Sequence, residues 1–496
     1  MLISKTIFQE FLFCPKNIWL KLHKPEWSEK FQLSDFELSL VEQGNEVESY
    51  ARNRFPGGVE VVGSGENRVA ETIRLMASGI PTLFQSTFIE DEFLVRNDVL
   101  KYDPENKCWD LYEIKATSSL KETRQRDHIA DIAFQVSVLK RAQVPLGKYF
   151  HMRLNKNYVR MGDLDMYALF EIEDVTAHVT ERLPEVEAKM EVARQYLNQE
   201  HEPAGGCECV YGVRRNHCST FQHSNPQIPD YSIHDISNIR KAKLLALMEK
   251  GVYGIDDIDD PDEFKLSDKQ KNQILAHRLG TPIIDSEKIA DELASLTFPL
   301  YFLDYEAYGP AMPMFDGYRP FQHIPFQFSL DILRDPTAEL EHIEYLHTEL
   351  SDPSEAIVNL LAKHIVGGTV VSWYKHYEKR IDKEMGERMP QYAAFFEQVN
   401  EGMYDLMDIF FDQHYIHDDF KGSASIKKVL PVIAPELRYS DLEISGGTQA
   451  SNAWWEMVNP SATPSKSKEI QKNLLIYCGR DTYAMYVIWK HLNELS

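Results

Sequence analysis

The sequence predicts an α/β protein with two mixed-sheet cores joined by a small helical linker. Three observations predict it. Strand-like runs alternate with helical periodicity from about residue 82 to residue 154. A second alternation opens at Pro299-Leu-Tyr-Phe-Leu-Asp and runs to the end. The chain has 496 residues, 43% of them hydrophobic, enough for more than one core. The expected domains are 1–222, 223–297 and 298–496.

The elements follow in order. Residues 1–55 read as helix, with Phe11, Leu12, Ile18, Trp19 and Leu22 at helical spacing, until Pro56-Gly57-Gly58 breaks the chain. Thr87-Phe-Ile and Phe93-Leu-Val read as strands, with Asp98 at a strand end. Asp103-Pro-Glu-Asn-Lys reads as a hairpin turn, and Cys108 to Lys115 alternates like a strand. Residues 125–142 read as helix, Lys148 to Leu154 as strand, and 175–201 as an amphipathic helix. Residues 224–231 read as linker and 238–279 as short helices. Beyond Pro299, Thr369-Val-Val-Ser-Trp-Tyr reads as a strand, Lys375 opens a helix, and Asp408 starts a further strand.

Bulk properties exclude several classes. No run of eighteen apolar residues occurs, so no membrane-spanning helix is expected. The start lacks a long apolar core and a cleavage site, so a cytoplasmic location is expected. A formal net charge of −24 argues against coating nucleic acid by charge alone. It is compatible with catalytic carboxylates that bind cations. Residues 101–160 run the other way, with twelve Lys/Arg against seven Asp/Glu.

Asp98, Glu113 and Lys115 form the first constellation. Glu113 and Lys115 are two apart on one strand and face the same side, and a hairpin can bring Asp98 to them. Two carboxylates can hold Mg²⁺ or Mn²⁺, and a lysine beside them can balance developing charge. Gln135 lies on the following helix, with an amide that can reach the site. This order resembles the PD-(D/E)XK nucleases of the RecB and CRISPR-associated kind. Two positions depart from that pattern: Leu139 stands at the usual Tyr and Asn45 at the usual upstream His. Glu46, Glu48 and Gln85 are further candidates for help with metal.

Six cysteines occur, and three of them, Cys207, Cys209 and Cys218, crowd into twelve residues. In a large acidic chain this spacing reads as a metal site rather than a disulfide framework. A fourth ligand is needed, and the candidates are the adjacent His217 and the remote Cys14 in Phe13-Cys-Pro-Lys. Zinc with His217 is the local reading. The resemblance to RecB-type nucleases implies Cys14 and a [4Fe-4S] cluster, since they carry one Cys before the core and three after it. Cys108 and Cys478 read as ordinary core residues.

The third constellation lies in the last domain. Asp304-x-Glu306 closes an apolar strand, Glu378 sits at a helix start, and Tyr477-x3-Asp481 shares one helix face. Four carboxylates gathered this way can hold two cations for in-line attack on a phosphodiester. The set resembles the DEDD 3′–5′ exonucleases of RNase H-like fold, with Tyr477 placed to position water. Asp405 rivals Glu378 for the second motif, and Ser425-Ile-Lys-Lys resembles the family's Ser-Leu-Lys segment.

Taken together the chain resembles a bacterial family that fuses a RecB-type nuclease to a DEDD-like domain. Leu154-Asn-Lys-Asn-Tyr-Val-Arg and Asp316-Gly-Tyr-Arg-Pro-Phe-Gln-His-Ile-Pro-Phe-Gln-Phe-Ser also carry that resemblance. Glu249-Lys-Gly-Val-Tyr-Gly is similar to a helix–hairpin–helix turn. The resemblance implies a metal-dependent DNA nuclease acting on single-stranded or free ends. A DNA-end-binding scaffold with one or both centres inactive is the alternative.

Overall fold

A computed structural model describes residues 1–24, 26–27 and 33–495. The parts of the expected 1–55 helix at position 25 and at 28–32 lie outside the described residues. The chain is mixed α/β, with several sheets, as expected, and forms two compact units. The first comprises Met1–Pro226 with Pro310–Gln322, and the second Gln227–Gly309 with His323–Ser496. Among the described residues no helix is long and apolar enough to cross a membrane.

The first unit opens with a short strand β1 (Ile3–Ser4), then α1 (Lys5–Phe13), α2 (Pro15–His23) and α3 (Asp35–Ala51). The expected single helix is therefore broken. Pro15 lacks an N–H and drives the preceding residue to extended backbone, and Cys14 takes φ −154°. The sheet follows as β2 (Val59–Glu60), β3 (Thr82–Glu90), β4 (Phe93–Asp103), β5 (Cys108–Lys115), β6 (Leu146–Leu154) and β7 (Phe170–Asp174). Its order is β2-β3-β4-β5-β6-β7, with β1 paired in parallel to β4. Asp98 sits mid-strand, not at a strand end, because β4 continues through Val99 and Leu100 into the hairpin with β5. Cys108 begins β5 half-exposed rather than in the core.

Helix α4 (Gly65–Ala77) packs on β3, and α5 (His128–Arg141) follows β5, capped by Asp127 accepting from the Ala130 N–H at 2.9 Å. Twelve of its fourteen residues are buried, so α5 runs through the core between the sheet and α6 (Thr176–Leu197).

The second unit carries α7 (Lys241–Glu249), α8 (Asp268–Leu279), β8 (Ile283–Ile284) and α9 (Ser286–Ala294) ahead of its main sheet. That sheet comprises β9 (Leu300–Tyr308), β10 (Ile324–Leu333), β11 (Glu341–Leu346), β12 (Thr369–Ser372) and β13 (Tyr404–Asp405). The order is β11-β10-β9-β12-β13; the first two pairings are antiparallel and the last two parallel. Every residue of β10 is buried, as a central strand covered on both faces requires. Asp408 opens a short helix (Asp408–Phe411), not the expected strand.

Of the later helices, α10 (Ser354–His364), α11 (His376–Arg388) and α12 (Ala393–Glu401) precede β13. After it come α13 (Ile426–Ile433), α14 (Gly447–Val458) and α15 (Pro464–Leu495). Helix α15 docks on the sheet through polar anchors. Gln327 donates to the Leu474 carbonyl at 2.9 Å, and the Ser329 and Thr482 hydroxyls meet at 2.7 Å. These anchors fix the rotation of α15 and turn its Tyr477/Asp481 face toward β9.

Candidate functional site

In the first unit, Glu113 is fully buried on β5 and meets three partners. Lys115 Nζ lies 2.6 Å and Lys5 Nζ 2.7 Å from Oε1, while Gln135 Nε2 donates to Oε2 at 2.7 Å. Gln135 is itself oriented by Asn97, whose Nδ2 donates to its Oε1 at 2.9 Å. Asp98 accepts the Ile114 N–H at 2.8 Å, which ties the β4 carboxylate to the β5 backbone. Two residues absent from the sequence expectation complete the centre. Asp131 on α5 pairs with Lys115 at 2.5 Å and Lys5 at 3.9 Å. Its signal was legible, since Asp131 stands four residues before Gln135 on one helix face. Lys5 carried no such signal.

Charge in this centre is strongly displaced. Burial, then the neighbouring Glu113, pushes Asp98 up to about 8. Burial also raises Glu113, but the Lys115 and Lys5 ammoniums outweigh it and hold the carboxyl well below its usual range. Burial opposes charge on both lysines, yet Asp131 and then Glu113 keep them above the usual lysine range. Glu48 accepts from Gln85 at 2.6 Å and adds to the rise at Asp98, whereas Asn45 and Glu46 are exposed. Leu139 is buried in the core. A cavity of about 380 Å³ opens beside Lys5, Lys115 and Asp131.

The cysteines converge. The four sulfurs of Cys14, Cys207, Cys209 and Cys218 all lie within 4.8 Å of one another, and all four residues are buried. This group can bind a metal ion. The fourth member is Cys14; the His217 ring instead stacks on Phe221 at 3.5 Å between centroids. The Phe13-Cys-Pro-Lys-Asn stretch holds the loop by more than sulfur. Asn17 Oδ1 accepts from Ser219 Oγ and from the N–H and hydroxyl of Thr220, at 2.9 to 3.1 Å. Lys16 donates to the Gly205 carbonyl and pairs with Glu202.

In the second unit, Asp304, Glu306 and Asp481 offer carboxylate oxygens within 4.8 Å of one another, a second group able to hold a cation. Burial, then Asp481, raises Asp304 well above its usual range, and burial, then Asp304, does the same for Glu306. Burial pushes Asp481 up to about 6 against the pull of Tyr439, whose hydroxyl donates to Oδ1. Like charges at this spacing, all of them buried or partly buried, are costly to ionise together without a cation.

Glu378 joins them. It is 2% exposed, its Oε2 has no hydrogen-bond partner among the described residues, and after burial its strongest influence is Asp304. Asp405 is committed elsewhere. Its two oxygens accept the Tyr374 and Lys375 N–H groups at 2.9 Å each, fixing the turn into α11. Asp405→Asn is therefore expected to destabilise the second unit by about 1–2 kcal/mol, as loss of a helix-end acceptor does. Glu378→Gln is expected to keep or raise stability and to lose cation binding. Thermal melts with and without Mn²⁺ check both.

Tyr477 is buried on α15, and burial followed by Asp481 keeps its phenol protonated far above neutral pH. Lys427 belongs to the Ser425-Ile-Lys-Lys segment. Its ammonium lies 5.4 Å from the Tyr439 ring and 5.8 Å from the Tyr477 ring, and it draws down both Glu306 and Asp481. Cys478 is more than core filler, with Sγ 3.6 Å from Asp304 Oδ2.

Residues 301–425 match a family model described as "Domain of unknown function (DUF2779)". The matched stretch contains Asp304, Glu306, Glu378 and Asp405, and ends before Tyr477 and Asp481. No curated protein matches the chain.

Proposed function

We propose that the protein is a metal-dependent nuclease that hydrolyses DNA phosphodiester bonds, acting exonucleolytically on single-stranded ends, with one centre in each unit. The observation that carries this reading is the convergence of Asp304, Glu306 and Asp481, with the buried Glu378, whose Oε2 is unpaired among the described residues, within electrostatic reach of Asp304. These residues would hold Mg²⁺ or Mn²⁺, which polarises a phosphate and lowers the pKa of bound water. Tyr477, held protonated, orients the attacking water. Tyr439 fixes the rotamer of Asp481, and Lys427 offsets charge building on the phosphate. The mixed five-stranded sheet with this set on β9, α11 and α15 supports a DEDD, RNase H-like reading.

The first unit is read as a PD-(D/E)XK centre of RecB type. Asp98 and Glu113 would hold the cation, Gln135 orients Glu113, and Lys115, paired with Glu113 and Asp131, would offset charge on the reacting phosphate. The four cysteines are read as ligands of a [4Fe-4S] cluster, by their order around the core. A single tetrahedral zinc is the second reading, favoured by the sulfur spacing. Zn–S bonds of about 2.3 Å set sulfurs about 3.8 Å apart, and Cys207 and Cys218 lie 3.7 Å apart.

The test is cleavage of 5′- and 3′-labelled single-stranded DNA by anaerobically purified protein with Mn²⁺. Lys115→Ala is expected to remove one product pattern by about a hundredfold or more, and to spare the other. Wild type that binds DNA ends without cutting them, across metals, would replace this reading with a DNA-end-binding scaffold.

A further inference from the structure

The segment Pro310–Gln322 lies between β9 and β10 in sequence but belongs to the first unit. It is tightly held there. Arg160 exchanges backbone bonds with it, since its N–H donates to the Tyr318 carbonyl at 3.0 Å and its carbonyl accepts the Gly317 N–H at 2.8 Å. Its guanidinium donates to the carbonyls of Met314 at 2.6 Å and Pro313 at 3.2 Å. Gln43 on α3 accepts the Ala311 N–H at 2.9 Å, and Phe321 N–H closes the loop base on the Pro310 carbonyl at 3.0 Å. Tyr318 and Ala311 are fully buried anchors.

One residue of this segment does not settle comfortably. Phe321 takes φ +63°, a left-handed conformation that a bulky side chain rarely adopts. Such strain persists only where surrounding bonds over-determine it, and it concentrates at functional positions. The ring is half-buried and lines the cavity of about 380 Å³ whose other charged walls are Lys5, Lys115, Lys121, Arg126, Asp127 and Asp131. The strained backbone thus delivers a partly exposed aromatic face to a cavity whose other charged walls are mainly cationic.

We propose that Phe321 is the base-stacking residue of the first centre: its ring stacks on a base of single-stranded DNA while the Lys and Arg side chains take the phosphates. The proposal rests on the nuclease reading of that centre and names what selects its substrate. Stacking suits it because every base presents a π-face, so the contact favours unpaired strands without choosing a sequence. Gln322 takes no part in it, since its Oε1 accepts the Arg319 N–H at 3.0 Å and braces the turn.

The test uses the full chain and two readouts. The first is fluorescence quenching of 2-aminopurine placed at each of the three terminal positions of a single-stranded oligonucleotide, with Ca²⁺ as the divalent ion. Phe321→Leu should abolish the quench at one position, and Phe321→Tyr should keep it. The second is steady-state cleavage with Mn²⁺, following the products that Lys115→Ala removes. For those, Phe321→Leu should raise KM about tenfold or more with kcat kept, since a stacked base contributes about 1–3 kcal/mol and about 1.4 kcal/mol is tenfold. Products that survive Lys115→Ala should not change. Phe321→Gly relieves the backbone while removing the ring. It should leave the melting temperature equal or higher and still lose the quench, which separates recognition from folding. An undiminished quench and KM in Phe321→Leu would overturn the proposal and leave the nuclease reading standing. Wild type that neither binds nor cuts single-stranded DNA would overturn both.

Discussion

Asp304→Asn is expected to lower cleavage at the second centre by about a thousandfold while making the cation-free protein more stable. The two effects share one cause. Asp304 shares a buried site with Glu306 and Asp481, and burial followed by Asp481 holds its carboxyl well above the usual range. A cation held there, as proposed, would offset that cost. An amide is neutral without having to take up a proton, so it removes that cost in the cation-free site, and it removes a ligand from the filled one. Loss of a thousandfold corresponds to about 4 kcal/mol of transition-state stabilisation, within what electrostatic groups supply.

The pH dependence follows with a definite sign. Asp481 is pushed from its ordinary 3.8 up to about 6 in the folded protein. A carboxyl whose folded pKa is raised keeps its proton longer when folded. Stability without divalent ions therefore falls as pH rises from about 4 through about 6, and the cost is full above that. Asp304 and Glu306, raised well above their usual range, extend the fall to higher pH. Mn²⁺ should raise the melting temperature of wild type more at pH 8 than at pH 5, and should do little for Asp304→Asn. Calorimetric melts at both pH values, with and without Mn²⁺, check this. Equal Mn²⁺ shifts in the two proteins would remove Asp304 from the ligand set.

If the four cysteines hold a metal as proposed, Cys14→Ser is expected to release it and to unfold the first unit at much lower temperature. Its sulfur is the member of the four-cysteine group supplied from the break between α1 and α2. The other three come from the loop at 207–218, so a metal held there would close a loop of nearly two hundred residues. Structural metal sites of this kind contribute about 10 kcal/mol or more in isolated small domains. Here Asn17, Lys16 and Trp19 also tie the helix pair to that loop and to its approach. A fall of several kcal/mol is the expected share, with complete loss of stoichiometric metal. Elemental analysis with the visible spectrum decides the ion in wild type. A brown protein with iron and sulfide supports the cluster, and a colourless one with one zinc supports the second reading. His217→Ala should leave the metal in place, because that ring packs on Phe221 and not on the sulfurs.

Much of this molecule could be read without coordinates. Period-two alternation located β5, and the Tyr477-x3-Asp481 spacing put both residues on one face of α15. Short-range chemistry of this kind is written in adjacent residues, so the Cys207, Cys209 and Cys218 triplet was legible too. The break at Cys14 was equally local, through Pro15, yet helical periodicity on both sides of it obscured the signal.

The remainder depends on residues far apart in sequence. Lys5 enters the Glu113 centre because β1 pairs in parallel with β4, which no pattern in the first ten residues encodes. The choice between Glu378 and Asp405 turns on which carboxylate is spent on backbone N–H groups. Two phrases that the sequence singled out without a chemical reason, one ending in Arg160 and one starting at Asp316, explain each other through their mutual backbone bonds. By itself the sequence determined the elements, the cysteine triplet and the carboxylate pairs within single strands and helices, because local sterics and periodicity act over a few residues. Only the tertiary structure decided the fourth sulfur, the partner lysines and the ring of Phe321, because long-range pairing depends on the packing of the whole unit and leaves no local trace.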